Sequence, residues 1–145
     1  MRAVILFAVS LVVSPLSWSY PSYSSHWEHR SIIYFAPTND EYVEQFLLET
    51  LMKECELEDR DLITLVVTAD GDSMPKWVKD EFNLEGLYNM HGVAPYSHTA
   101  VLIGKDGGEK LRWSKSTDWQ QVIETIDSMP MRKAEMAKSV SRCSA

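Results

Sequence analysis

Two short runs, Ser31–Phe35 and Leu62–Thr68, consist almost wholly of aliphatic, β-branched and aromatic residues and show no polar face. A strand with one side in water alternates apolar and polar residues, so strands without that alternation must be covered on both sides. Between the runs, Val43, Phe46, Leu47 and Leu51 recur at helical spacing with acids among them, as on a helix laid against a sheet. Strand, helix and strand in this order form a crossover unit, and its two strands are parallel.

The remaining elements follow from turn and cap signals. Thr38 and Glu41 have the T-x-x-E spacing of a capping box, which places the start of the first helix there. That helix is expected to end near Cys55, with Glu56–Arg60 as connection. Asp72 and Ser73 offer caps for a short helix through Trp77, Val78 and Phe82, with Pro75 in its first turn. Asn83–His98, with Gly86, Gly92 and Pro95, reads as the longest irregular stretch. Thr99–Ile103 and Lys110–Trp113 flank Lys105-Asp106-Gly107-Gly108, a strong hairpin signal. Thr117 and Gln120 should cap a last helix carrying Trp119, Val122, Ile123 and Ile126; Pro130 ends or kinks it, and Met131–Val140 adds a helical turn or two. The expected order is β-α-β-α-β-β-α, an α/β domain over residues 31–140 with a mixed four-stranded sheet between helices and a tail at 141–145.

Residues 1–19 read as an export signal: Arg2, an apolar run Ala3–Val13, Pro15, then Ser17-Trp18-Ser19 with cleavage expected before Tyr20. The run is shorter than the roughly 20 apolar residues of a bilayer span, so no membrane span is expected after cleavage, and the location is periplasmic or extracellular. Residues 20–30 are a Ser, Tyr and Pro-containing lead-in. Loss of Arg2 takes the net charge from −7 to −8, which argues against nucleic acid as a partner. Asp40–Asp61 holds nine acids against Lys53 and Arg60, whereas Arg132, Lys133, Lys138 and Arg142 make the C-terminal end basic. In an exported chain the two cysteines, Cys55 and Cys143, invite a disulfide; a bond between them, a bond to another chain and free thiols all remain open at this level.

Phe35-Ala36-Pro37 running into a helix start resembles the active-site turn of thioredoxins, whose paired cysteines would fall at Asn39 and Tyr42. In the peroxiredoxin register the threonine and cysteine positions fall at Glu41 and Glu44. Neither register supplies a thiol, and acids in the first turn disfavour a second anion there. Where thioredoxins place a proline before the third strand, His98 precedes Thr99, with Pro95 three residues earlier. Trp27–Pro37, Leu102–Arg112 and Ile126–Met136 together resemble a bacterial domain-of-unknown-function family described as peroxiredoxin-like, with related domains in animal extracellular coiled-coil-domain and sushi-repeat proteins. The resemblance implies a thioredoxin-like fold, secretion, loss of the redox cysteines and no established activity.

The function expected is therefore a non-catalytic binding or interaction module with a protein partner and no cofactor. Its former active-site turn comprises Pro37, Thr38, Asn39, Glu41 and Tyr42, and a candidate partner surface comprises Lys105, Asp106, Arg112, Arg132, Glu135 and Met136, where methionine supplies adaptable apolar contact beside charge. The alternative is a thiol-dependent redox enzyme using Cys55 and Cys143, although acids at Glu54, Glu56 and Glu58 and a helix C-terminus would raise the Cys55 pKa. His26, His29, His91 and His98 lack the three or four converging ligands that zinc needs, so no metal site is assigned. Lys105–Gly108 lacks the order of a phosphate loop, no G-x-S-x-G elbow is present, and Asp70 and Asp72 suit helix capping.

Overall fold

The computed structural model describes residues 28–141 and residue 143; the expected export signal, residues 20–27 of the expected lead-in and residues 142, 144 and 145 lie outside the described residues. The elements are β1 (Arg30–Ala36), α1 (Glu41–Met52), α2 (Glu54–Asp59), β2 (Leu62–Thr68), β3 (Ser73–Met74), α3 (Trp77–Glu81), α4 (Leu84–His91), β4 (Thr99–Ile103), β5 (Glu109–Trp113), α5 (Trp119–Asp127) and α6 (Pro130–Lys138). They form one mixed sheet in the order β3-β2-β1-β4-β5. The sheet has five strands rather than the expected four. The addition, β3, is two residues long and pairs antiparallel with Val66 and Val67, and in sequence its Ser73 reads as a helix cap.

β1 is the centre of the sheet and all seven of its residues are buried, as a strand apolar on both faces requires. It runs parallel to β2, from Arg30 against Leu62 to Ala36 against Thr68, and antiparallel to β4. Alternate residues serve two cores. Ile32, Tyr34 and Ala36 pack with Val43 and Phe46 of α1, Leu57 of α2, and Trp119, Val122 and Ile126 of α5. Ile33 and Phe35 face the other way, onto Val78, Tyr88 and Val93. Reading β1 one residue out of register would exchange these two sets, so the pairing is strongly specified.

Several boundaries differ from the sequence reading. Asp40, not Thr38, caps α1: its Oδ1 accepts from the Tyr42 and Val43 amides at 3.1 Å, because the helix starts at Glu41 and the T-x-x-E spacing lies two residues out of phase with it. Leu51, assigned to the packed stripe, is 69 % exposed; only Val43 and Phe46 of α1 are buried. The connection after α1 is itself helical, as α2. Pro75 precedes α3 rather than entering its first turn. Within the stretch taken as irregular lies α4, with the Asn83 side chain accepting from the Gly86 amide at its start and Gly92 in the left-handed region at its end, both standard helix punctuation. Asp118 rather than Thr117 caps α5, accepting from the Gln121 amide; the Thr117 hydroxyl instead accepts from Trp113 Nε1. The hairpin between β4 and β5 closes through Gly107, at φ 79°, whose amide donates to the Gly104 carbonyl.

Candidate functional site

The carboxyl ends of β1 and β2 deliver the turn singled out in the sequence. Pro37, Thr38 and Asn39 form a bend, with Thr38 and Asn39 exposed, and Glu41 opens α1 facing solvent. The Thr38 hydroxyl donates to Asp70 Oδ2 at 2.8 Å, and the Thr68 hydroxyl holds the other oxygen of the same carboxylate. These two hydroxyls, Thr68 first, hold the Asp70 carboxyl below the usual range. The bend is thus tied to the β2–β3 turn by side chains.

Asp40 and His98 meet at the start of α1. Asp40 spends one oxygen on the α1 amides and the other on His98 Nε2, 2.6 Å away. Burial would raise the Asp40 pKa, but the hydrogen bonds from His98 and the two amides outweigh it and hold the carboxyl below its ordinary value. The His98 ring stands edge-on to Tyr42 at 5.0 Å, and Lys115 Nζ lies 4.9 Å over the Tyr42 ring. Below them Tyr34 donates to the Lys115 carbonyl at 2.7 Å, and burial, then Asp40, pushes its pKa up to about 12. The Tyr42 and Val43 amides of the first turn are thus already bound to a carboxylate. This arrangement can hold a proton between acid and imidazole, but it offers no sulfur.

Cys55 and Cys143 lie elsewhere, joined to each other with Sγ–Sγ 2.09 Å and Cα–Cα 5.8 Å. Cys55 sits in the first turn of α2, three residues past the end of α1.

Beside the bend, between the β2–β3 turn and helices α3 and α4, opens a cleft of about 740 Å³ lined by Thr68, Gly71, Phe82, Tyr88, Asn89 and Pro95 among others. Its floor is fixed by Tyr88, whose hydroxyl donates to the Ala36 carbonyl at 2.9 Å; burial, then Asp70, raises its pKa to about 12. Phe82 and Trp77, each 49 % exposed, stand 6.2 Å apart near this rim. Asp72 binds Lys76 at 2.7 Å, which with the Ser73 amide lowers its pKa to about 2.

Of the charged residues of the candidate partner surface, Lys105, Asp106, Arg132 and Glu135 lie toward the opposite end of the sheet and Arg112 in the middle of its edge, and their polar groups are engaged within the chain. Arg30, 1 % exposed, grips Glu135 through both terminal nitrogens at 3.1 Å and also donates to the Arg60 carbonyl. Lys105 bonds Glu135 and Asp61, each at 2.8 Å. Arg132 bonds Asp59 and Asp127, and Arg60 bonds Asp127 through two parallel contacts. Four cations and four carboxylates therefore balance across the β1 start, the end of α2 and its link to β2, the β4–β5 turn, the end of α5 and α6. Asp106 pairs with Lys110 within the hairpin, and Arg112 bonds Glu109 and the His91 carbonyl. Met136 is 40 % exposed. His91 and His98 stand apart in different surroundings, and no three His, Cys, Asp or Glu side chains converge as a metal site among the described residues.

Sequence reasoning placed Asp40 among the acids of the first turn but not as its cap, read Asp70 as a cap of the next helix and His98 as a lone histidine, and missed Lys115 and the cleft. Asp directly before a helix is a strong cap signal and could have identified Asp40. Its meeting with His98, 58 positions away, carries no local signal.

Fold and site together define an α/β protein with a five-stranded mixed sheet and an acid–imidazole pair at the first helix start. The chain belongs to the DUF4174 family, described as a domain of unknown function, whose model matches residues 22–135. Comparison with curated proteins and with solved structures returns no match. No helix among the described residues is long and apolar enough to cross a membrane.

Proposed function

We propose that this protein is an exported, non-catalytic interaction module of thioredoxin-like fold, whose partner is a protein seated in the cleft beside the former active-site turn. The topology supports the fold reading: a parallel β1–β2 pair joined through α1, then an antiparallel β4–β5 hairpin on the other side of β1. The single observation carrying the non-catalytic reading is Asp40, which occupies the α1 amides and His98 where a reactive sulfur would need them. Ligands of open α/β sheets settle outside the carboxyl ends of the strands, and the cleft lies there. The former candidate surface on α6 is the weaker place for a partner, because its Arg132, Glu135 and Lys105 charges are turned on one another.

The thiol-dependent alternative and this reading separate in one experiment. The processed protein and its Cys55→Ser/Cys143→Ser variant are assayed with hydrogen peroxide plus dithiothreitol and with a disulfide substrate. Turnover no faster than that of free dithiothreitol in both proteins supports the module; rapid turnover lost in the double variant establishes the enzyme instead. A tagged protein should capture a partner from its native compartment, and Phe82→Ala with Asn89→Ala should abolish capture while leaving the melting temperature unchanged. N-terminal sequencing of secreted material is expected to begin at Tyr20, and retention of residues 1–19 would overturn the export assignment.

A further inference from the structure

The two ends of the sheet differ in how their charges are matched. Around α6, Asp59, Asp61, Asp127 and Glu135 are each bonded to an arginine or a lysine. In the chain from Ala69 to Gly92, which builds most of the cleft walls, five carboxylates stand against Lys76 and Lys79, a net charge of −3. His91 adds no charge at neutral pH, because burial pushes its pKa down. Both lysines are turned on one carboxylate, Asp72. Asp80 and Glu85 line the cleft, and Asp70 sits between the lining residues Ala69 and Gly71. These three are exposed, and among the described residues no cation is paired with them.

The same walls carry an apolar seat. Tyr88 and Val93 are buried and form a fixed floor, whereas Phe82 and Leu84 keep surface toward the opening. Asn89 is exposed in this lining, and among the described residues its side-chain amide has no partner. It therefore offers two donors and an acceptor to an incoming backbone. Resting on the reading of this cleft as the partner's seat, we propose that what it takes is an extended segment of another protein, carrying a large apolar side chain flanked by lysine or arginine. The apolar side chain packs against Phe82 and Leu84 over the Tyr88 floor, the cations meet Asp70, Asp80 and Glu85, and Asn89 bonds the segment's backbone. A buried aromatic contact supplies most of the affinity in such a site, and charge complementarity selects the partner and speeds encounter. An acidic segment would meet like charge, and a purely basic one would leave Phe82 uncovered.

The test is selection from a displayed random-peptide library on the immobilised, disulfide-bonded protein, followed by fluorescence-anisotropy titration of the recovered peptides. The recovered peptides should share a large apolar side chain beside lysine or arginine, and their saturable binding should weaken as sodium chloride is raised. Phe82→Ala and the near-isosteric double variant Asp80→Asn/Glu85→Gln should each weaken binding about tenfold with the melting temperature unchanged. Glu54→Gln, on α2 across the sheet from α3 and α4, should leave binding as it is. Exchanging the peptide's apolar side chain for serine, or its cations for glutamate, should abolish binding. Recovered peptides that are acidic or uncharged and still depend on Phe82 keep the cleft as the partner's seat and overturn its preference for basic segments. Peptides indifferent to Phe82→Ala, or no recovered peptide at all, overturn both readings.

Discussion

Replacing Glu135 by glutamine tests the ion network directly, because the two side chains have nearly the same shape and differ in charge. In the native protein Glu135 accepts two bonds from Arg30 at 3.1 Å and one from Lys105 at 2.8 Å. Glutamine can offer one oxygen and presents an NH₂ to a guanidinium that is 1 % exposed. Breaking a buried pair from one side costs about 3–5 kcal/mol. Here the lower end applies: Glu135 itself is 26 % exposed and Lys105 keeps Asp61. A loss of about 3 kcal/mol corresponds to a fall in melting temperature of roughly 12 °C for a domain of this size. Urea unfolding at pH 7 should show it as a lowered midpoint with unchanged slope. The variant should also flatten the acid limb. Burial would raise the Glu135 pKa, but its bonds to Arg30 and Lys105 outweigh burial and hold it below the ordinary value. Its contribution is therefore full above the unfolded pKa near 4.3 and lost as pH falls through the lower folded value. A loss under about 1 kcal/mol, the scale of an exposed pair, would refute the network as a structural element and return Glu135 to the surface.

Three further outcomes follow from the same geometry. Cys55→Ser/Cys143→Ser opens a closure spanning 88 residues and should cost about 4–5 kcal/mol on the chain-entropy model, read by urea unfolding under non-reducing conditions; a difference under about 1 kcal/mol would place the tail outside the cooperative unit. Asp40→Ala removes the α1 cap and the His98 partner together and should cost about 1–2 kcal/mol, with α1 amide exchange rising more than α5 exchange; equal change in both helices would contradict a local role. Gly92→Ala forces a side chain to φ 62° where space is otherwise open, so its cost should be purely conformational, about 1 kcal/mol, and neutrality by thermal unfolding would show that the α4 end relaxes.

What the sequence disclosed was periodicity and chain punctuation. The unbroken apolar character of Ile32–Phe35 predicts burial on both faces, and β1 is buried throughout. The Lys105–Gly108 turn and the last amphipathic helix are equally legible, since each is set within a few neighbouring residues. β3 is too short to possess a period, and α4 was hidden because Gly86 and Gly92 look like loop formers until Asn83 is recognised as a cap. The charges on α6 misled most. Arg132, Lys133 and Glu135 look solvated in a hydrophilic helix, but only the tertiary fold shows that Arg132 meets Asp59, 73 positions earlier. The same limit hides Asp40 with His98: the residues directly before α1 and β4 meet only once the sheet is assembled.

The reach of the Arg30–Glu135 contact, 105 positions, also dictates an order of assembly. During synthesis the first strand must leave its guanidinium in water until α6 exists, because burying it alone would strand a positive charge in an apolar layer. A chain stopped before residue 135 should therefore stay loose at its earliest strand and be open to proteolysis there. The last helix thus works as a checkpoint on completeness, acting upon the strand that was made first.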